Sequence, residues 1–455
     1  MRHSAFILFA LAACSEPAPP APPPAAPPSQ AVAVPSQPLI PPISIKGRGA
    51  PRTPTPGDRM GPEGPQTARS TGPEIYLGNL ASRGKVLNER YEKFPREPAV
   101  LAALATWHEE QAMIDGDLEH SLVALDLIEK ALAEKPDDPK LLRHRAGLRA
   151  HLHRFPEAKA DLERAIALAP DEPDPRRALG AVLRNQGDWA AAEPLLKTPL
   201  IRQKTFQDHG DEAIRAFQAG RIDEADQLLR RAAGAYADVH PIPMGWIDLQ
   251  RGLLRLRTGR YPEARTFFKA AYDRLPQNYV VAEHLAEVES LLGNHAESLR
   301  IYDEVVAATK LPEFMAARAG VLSALGRAAE AEAALTEADA RWKALLARHE
   351  SALAAHAISF WLEDKPDFAR ARELAEKNLT LRRDPDSLVL AAQARAATGD
   401  AEGARALIAE ARRFPIRVDE FFAGIADALH RIGDAAGAQA ALAEARALNP
   451  LTPDL

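Results

Sequence analysis

The single cysteine of the chain, Cys14, follows Leu11-Ala12-Ala13 and precedes Ser15 and a wall of prolines. A lone thiol closes no disulfide within the chain, so any chemistry at Cys14 is that of a nucleophile. Other reactive sets are few. No GxSxG, HExxH, CxxC or calcium-loop pattern occurs. The stretch from Gly78 to Lys85 (GNLASRGK) has the look of a phosphate loop. It carries five residues between its glycines where that loop has four, and Val86 stands where Ser or Thr would hold magnesium. His349 and His356 are seven residues apart, about 10 Å along a helix, too far to share one metal ion. His144, His151 and His153 share one predicted helix, but His151 and His153 point to different faces. These patterns supply no catalytic set, no metal site and no cofactor site, and they leave the histidines to solvent or ligand contact.

The elements that carry these residues follow from composition and spacing. With 46% hydrophobic and 26% charged residues, the 455-residue chain is ordinary globular material. Its formal net charge of -6 gives no overall basic field, which argues against nucleic acid as a partner. Aromatics are only 6% and alanine is abundant, a composition that suits closely packed helices. At the N-terminus, Arg2 and His3 precede a ten-residue apolar run, Ser4 to Ala13, too short to span a bilayer. Residues 1–13 read as an export signal. Residues 15–74 then hold 18 of the 38 prolines with almost no large apolar side chains, so 14–74 is expected to be a disordered, polyproline-rich tether.

Leu11-Ala12-Ala13-Cys14 resembles the lipobox of bacterial lipoproteins. The resemblance implies cleavage before Cys14, acylation of its thiol and new amino group, and anchoring by lipid alone, without a membrane-spanning helix. Ser15 after the cysteine implies, by the same family's sorting rule, the outer membrane facing the periplasm.

From residue 75 an internal period appears. The stretches 141–170, 245–276 and 421–450 each give an apolar helix with a small residue at its middle, a short turn, a second helix with small residues early and late, and a closing proline. Ala158 and Ala192, Gly259 and Gly293, Gly399 and Gly433, and Ala404 and Ala438 all repeat at a spacing of 34. Ala146, Gly180, Gly252, Ala286 and Ala426 stand where paired helices must approach closely, and Leu162, Leu196, Phe268, Tyr302 and Leu442 are large enough to fill the space between units. Pro170, Pro276 and Pro450 stop second helices.

This pattern resembles the tetratricopeptide repeat, over residues 98–455, in eight to ten units. It implies an all-α, right-handed superhelical solenoid of antiparallel helix pairs, with 75–97 as a capping helix. The repeat departs from the family pattern around 114–117, at 199–210 where a break between lobes is expected, and at 336–366, which reads as a long helix followed by a shifted unit. In the family the first helices line a concave peptide groove. Carried over by position, Lys140, Arg143, His151, Arg177 and Arg184 are expected to face it, with Glu283 and Glu287 further along, so that the groove changes sign. Residues 139–185 hold ten Lys or Arg against six Asp or Glu, and forked guanidiniums suit an acidic peptide or C-terminus. The expectation is a lipid-anchored, non-catalytic adaptor for other envelope proteins. A peptidoglycan-associated module, with Trp246 and Trp361 as candidate groove aromatics, and a periplasmic enzyme of unrecognised kind are the alternatives.

Overall fold

The computed structural model describes residues 60–200 and 204–455. Cys14, the export signal and the tether as far as residue 59 lie outside the described residues. Among the described residues there are twenty α-helices and no strand. After α1 (Pro73–Lys93), the helices alternate as first and second members of antiparallel pairs. They are α2 (Pro98–Asp115) and α3 (Leu118–Glu134), α4 (Pro139–His151) and α5 (Phe155–Leu168), α6 (Pro173–Gln186) and α7 (Trp189–Leu196), and α8 (Phe206–Gln218) and α9 (Ile222–Ala235). The array continues with α10 (Pro241–Leu256) and α11 (Tyr261–Arg274), α12 (Tyr279–Leu291) and α13 (His295–Thr309), and α14 (Pro312–Ala324) and α15 (Ala328–Ser359). It closes with α16 (Phe368–Leu381), α17 (Pro385–Ala397) and α18 (Ala401–Ala411), and α19 (Asp419–Arg431) and α20 (Ala435–Leu448).

Local chemistry explains where the helices start. Pro98, Pro139, Pro173, Pro241, Pro312 and Pro385 each open the first helix of a pair, where the missing N–H is one of the unbonded set and φ is preset. Asp188, Asp400 and Asp434 accept main-chain N–H groups at the start of second helices. The small residues sit at the crossings: Ala158, Ala192, Ala264, Ala286, Ala404 and Ala426 are wholly buried. A Cβ on Gly252 would lie 2.4 Å from the ring of Phe268, so this crossing admits nothing larger than glycine. The long helix expected over 336–366 is present as α15, interrupted at His349 (φ -137, ψ 41) and followed by a π-helical turn, Phe360–Asp364. Its second half packs with α16, so one helix serves two units. At the expected break, α7 is cut to eight residues with Pro194 inside it, while a capping box of Thr205 and Asp208 restarts the array at α8.

Successive turns of the solenoid touch. His153 Nδ1 donates to Ser351 O at 3.0 Å across 198 residues of sequence. Arg383 N donates to Gln186 O at 2.9 Å, and Arg417 N to Gln218 O at 2.8 Å. Arg257 pairs with Glu420, and Glu119 pairs with Arg348 and His349. The contacts join the end of a first helix, the turn past it or the start of the second helix to a segment about five to seven units later. The seam bonds one turn to the next alongside the expected concave groove, and this bounded groove is the channel.

The stretch 60–72, expected to belong to the disordered tether, is instead a strap laid across α9, α10 and α11. Gly61 N donates to Arg230 O at 2.8 Å, and Gln66 N donates to both carboxylate oxygens of Asp248 at 3.0 and 3.3 Å. Arg251 reaches the carbonyls of Pro62 (3.0 Å), Glu63 and Gly64 (2.7 Å). Arg274 reaches those of Gln66 (2.5 Å) and Ala68 (3.0 Å), and Thr71 N donates to Val239 O at 2.7 Å. The reason lies in α10. Relative to the small residue at the crossing, Leu142, Leu388 and Phe422 occupy one position, and Leu179, Leu285 and Ile425 another; α10 has Asp248 and Arg251 there. Both are fully buried, and buried polar groups need partners, which the main chain of the strap supplies.

Candidate functional site: the inner channel

The channel wall is built from first helices, and the residues expected to face the groove divide into two groups. Lys140 is exposed, and Arg143 on α4 is half-buried. Neither side chain has an acceptor among the described residues, so these two cations are available to a ligand. Arg177 and Arg184 are not free. Arg177 donates to the carbonyls of Leu196 (2.8 Å) and Thr198 (3.4 Å), closing the shortened α7, and lies 3.8 Å from Asp208. Arg184 donates to Gln218 Oε1 at 2.6 Å and stacks 3.3 Å over the ring of Trp189, whose Nε1 donates to Arg184 O. Desolvation, with Arg215 nearby, lowers the Arg184 pKa to about 10. The basic stretch is thus partly spent on holding the end of α6 and α7 together.

Arg215 on α8 is a further cation close to Arg177 and Arg184. It is half-buried and has no acceptor within hydrogen-bonding distance among the described residues, and desolvation lowers its pKa although Asp211 and Glu212 oppose the shift. Desolvation likewise raises the neighbouring Asp211 to about 6. His151 is exposed to water but walled in, and desolvation, followed by the charge of His356, lowers its pKa to about 4. His153 stacks with His356 across the seam at 6.5 Å; desolvation, then Arg382 and His356, bring its pKa to about 3.

The opposite sign is carried on α12 by Glu283 and Glu287. His284 lies between them, with Nδ1 3.1 Å from the Glu283 carboxylate and 3.0 Å from that of Glu287. Desolvation raises Glu283 to about 7, whereas at Glu287 the His284 hydrogen bond and Arg257 outweigh desolvation and hold the carboxylate ionised. These three side chains are the one His and carboxylate group among the described residues with ligand atoms within 4.8 Å of one another. The two carboxylates already occupy the imidazole Nδ1–H side, which makes the group an internal ion pair in the form seen here. Two more acids join from the following superhelical turn. Glu420 is pushed well above its ordinary value, by desolvation first, and Asp386 is raised to about 7 by desolvation and Asp384.

Arg215, Asp386 and Glu420 were not singled out in the sequence. Asp386 and Glu420 lie 34 apart, in the register of Lys140, so the period itself carried that signal. The two candidate glycan-binding tryptophans are not on the channel surface. Trp246 is buried against Phe206 and the close-packed Gly210, and Trp361 is buried with Nε1 donating to Asp339 Oδ1 at 3.0 Å. Both serve packing. Among the described residues, no helix is long and apolar enough to cross a membrane.

Comparison with known proteins adds the following. No curated protein matches the chain. Among solved structures, human IFIT1, a dimer with PPP-AAAA, is similar at 18% identity over 74% of this chain and 80% of that one, with a TM-score of 0.44. Pseudomonas aeruginosa PilF is similar at 14% identity over 44% of this chain and 89% of that one, TM-score 0.37. Yeast Tom70 aligns at 16% identity over 82% and 92%, TM-score 0.32. The tetratricopeptide repeat is matched twice, at residues 117–179 and 211–279, segments that hold α3 to α5 and α8 to α11. These two segments are tetratricopeptide repeats, and helix pairs of the same kind recur along the described array.

Proposed function

We propose that this chain is a non-catalytic adaptor of the bacterial envelope, held by acyl chains on Cys14, that takes an extended acidic peptide or protein C-terminus into its channel. Tetratricopeptide repeats serve protein–protein binding, and the observation that favours this ligand is the pair of half-buried guanidiniums, Arg143 and Arg215, that find no acceptor of their own among the described residues. A desolvated cation without a partner is costly, and a carboxylate forked onto it relieves that cost. Because the turns are bonded along the seam, a free chain end enters more readily than an internal loop. Glu287 on α12, which stays ionised, repels the same ligand and sets how far it runs.

The test is fluorescence anisotropy with a labelled, unstructured Asp- and Ser-rich peptide ending in a free carboxylate. Arg143→Glu combined with Arg215→Glu should weaken binding at least tenfold, and salt should weaken binding to the parent protein. Equal binding by parent and variant removes the channel site. The anchor is tested separately, by Cys14→Ala and by globomycin, which blocks lipoprotein signal cleavage. Unchanged processing under both would refute the lipobox reading.

A further inference from the structure

The strap and the crevice beneath it form a site of a second kind, away from the channel cations. Apart from one bond from Arg274 to the Ser70 hydroxyl and a loose, exposed ion pair of Glu63 with Arg230 at 3.9 Å, the bonds that hold residues 60–72 go to their main chain: Arg230 to Gly61 O, Arg251 to three successive carbonyls, Arg274 to two more, and Asp248 to an N–H. Glu63, Thr67, Ala68 and Arg69 point to solvent. Only two strap positions are read by shape. A Cβ on Gly61 would lie 2.7 Å from that of Ala233, and Gln66 is buried at 8% exposure. The other half of the site is permanent. Asp248 and Arg251 are fully buried and Arg255 is 8% exposed; Asp226 on α9 neutralises the two arginines, and the remaining donors of Arg251 go to the strap. Such groups cannot stand unpartnered at low cost, so the crevice demands a peptide main chain whatever side chains that peptide carries.

We propose that the crevice over α9, α10 and α11 is a binding site for extended, glycine-containing peptides read through their carbonyls, and that residues 60–72 are its resident, displaceable occupant. The partner is a segment of another protein with a glycine where Gly61 lies and no proline where Gln66 donates to Asp248. Proline at Pro62 and Pro65 is accepted, since neither position donates. The inference stands on the strap alone and is independent of what enters the channel. Its consequence is competition: a covalently attached occupant acts at millimolar effective concentration, so a partner must outbid it or arrive when it is cut away.

The experiment uses the full chain and a labelled synthetic peptide with the sequence of residues 60–72, MGPEGPQTARSTG. Two variants change only the strap: Gly61→Val introduces the clash with Ala233, and Gln66→Pro removes the N–H that Asp248 accepts. Each should bind the peptide at least tenfold more tightly than the parent, whose own strap competes. A control peptide with valine at its second position should fail to bind either variant. If both variants keep the parent's circular dichroism and bind the peptide no better than the parent, the proposal is overturned. Equal binding of the control peptide overturns it as well.

Discussion

Two glycines at the seam and two elsewhere have the same backbone conformation but different neighbours, which separates conformational strain from contact between turns. Gly187 (φ 93) and Gly220 (φ 73) end first helices at the seam; Gly326 (φ 74) and Gly399 (φ 81) end first helices in open space. Alanine at any of them pays the left-handed penalty, about 1 kcal/mol. At Gly326 and Gly399 that is the whole cost, because an added Cβ meets nothing within 4 Å. At Gly187 the Cβ would lie 2.4 Å from Arg383 O and 2.6 Å from Arg383 C, atoms of a main chain that cannot rotate away. The turns must part there, which loses the Arg383 N–H to Gln186 O bond, worth about 1 kcal/mol. Displaced packing adds roughly 1 kcal/mol more. Gly187→Ala should therefore cost about 3 kcal/mol, against about 1 for Gly326→Ala. Native-state hydrogen exchange is the suitable assay, since a long repeat array need not unfold in one step. The Arg383 amide should exchange at least tenfold faster in Gly187→Ala and be unchanged in Gly326→Ala and Gly399→Ala. Gly220→Ala should act in the same way on the Arg417 amide. Equal losses at all four positions, or an Arg383 amide indifferent to Gly187→Ala, would refute stacking of the turns.

Three other outcomes are expected. Asp161, 5% exposed at its side chain, accepts from Arg145 at 2.6 and 2.9 Å and from Arg149 at 2.7 Å. Asp161→Ala strands Arg145 and leaves Arg149 with Glu129 alone, and should cost about 3 kcal/mol of local stability, read from exchange of α4 and α5 amides. His153 has a folded pKa of about 3, below the ordinary 6.5, so the folded protein binds fewer protons than the unfolded chain and its stability falls as pH drops below 6.5. His153→Asn keeps a residue that tolerates φ 56 and removes the titration, so its melting temperature should fall less than the parent's between pH 7 and pH 5; parallel curves would contradict the shift. Trp361→Phe loses the bond to Asp339 and leaves a cavity where the larger ring lay, and should cost about 2–3 kcal/mol without altering peptide binding.

The repeat was legible because its causes are local. Small residues at crossings, large ones between units and prolines at starts and stops return every 34 residues, and each lies where that period places it. Arg177 and Arg184 were misjudged because their partners, the end of α7 and Gln218, belong to a unit cut short by Pro194, where the period misleads. The seam was invisible for a different reason: it joins unlike surfaces about 200 residues apart, and neither side carries a pattern of its own. The strap was masked by its composition. Its residues bury little, and what orders it is the demand of Asp248 and Arg251, whose replacement of apolar residues in α10 was the one available clue.

The seam also bears on the order in which the chain acquires its structure during synthesis. A solenoid with contacts only between neighbouring units can fold as it emerges, each pair closing on the last. Here α4, α6 and α8 leave the ribosome long before the segments at Ser351, Arg383 and Arg417 that will bond to them exist. At 5–20 residues per second the interval over about 200 residues is on the order of 10–40 s. For that time the first turn stands as an open spiral, its inner wall wet and its glycine turns bare, and only the arrival of the second turn converts it into a tube.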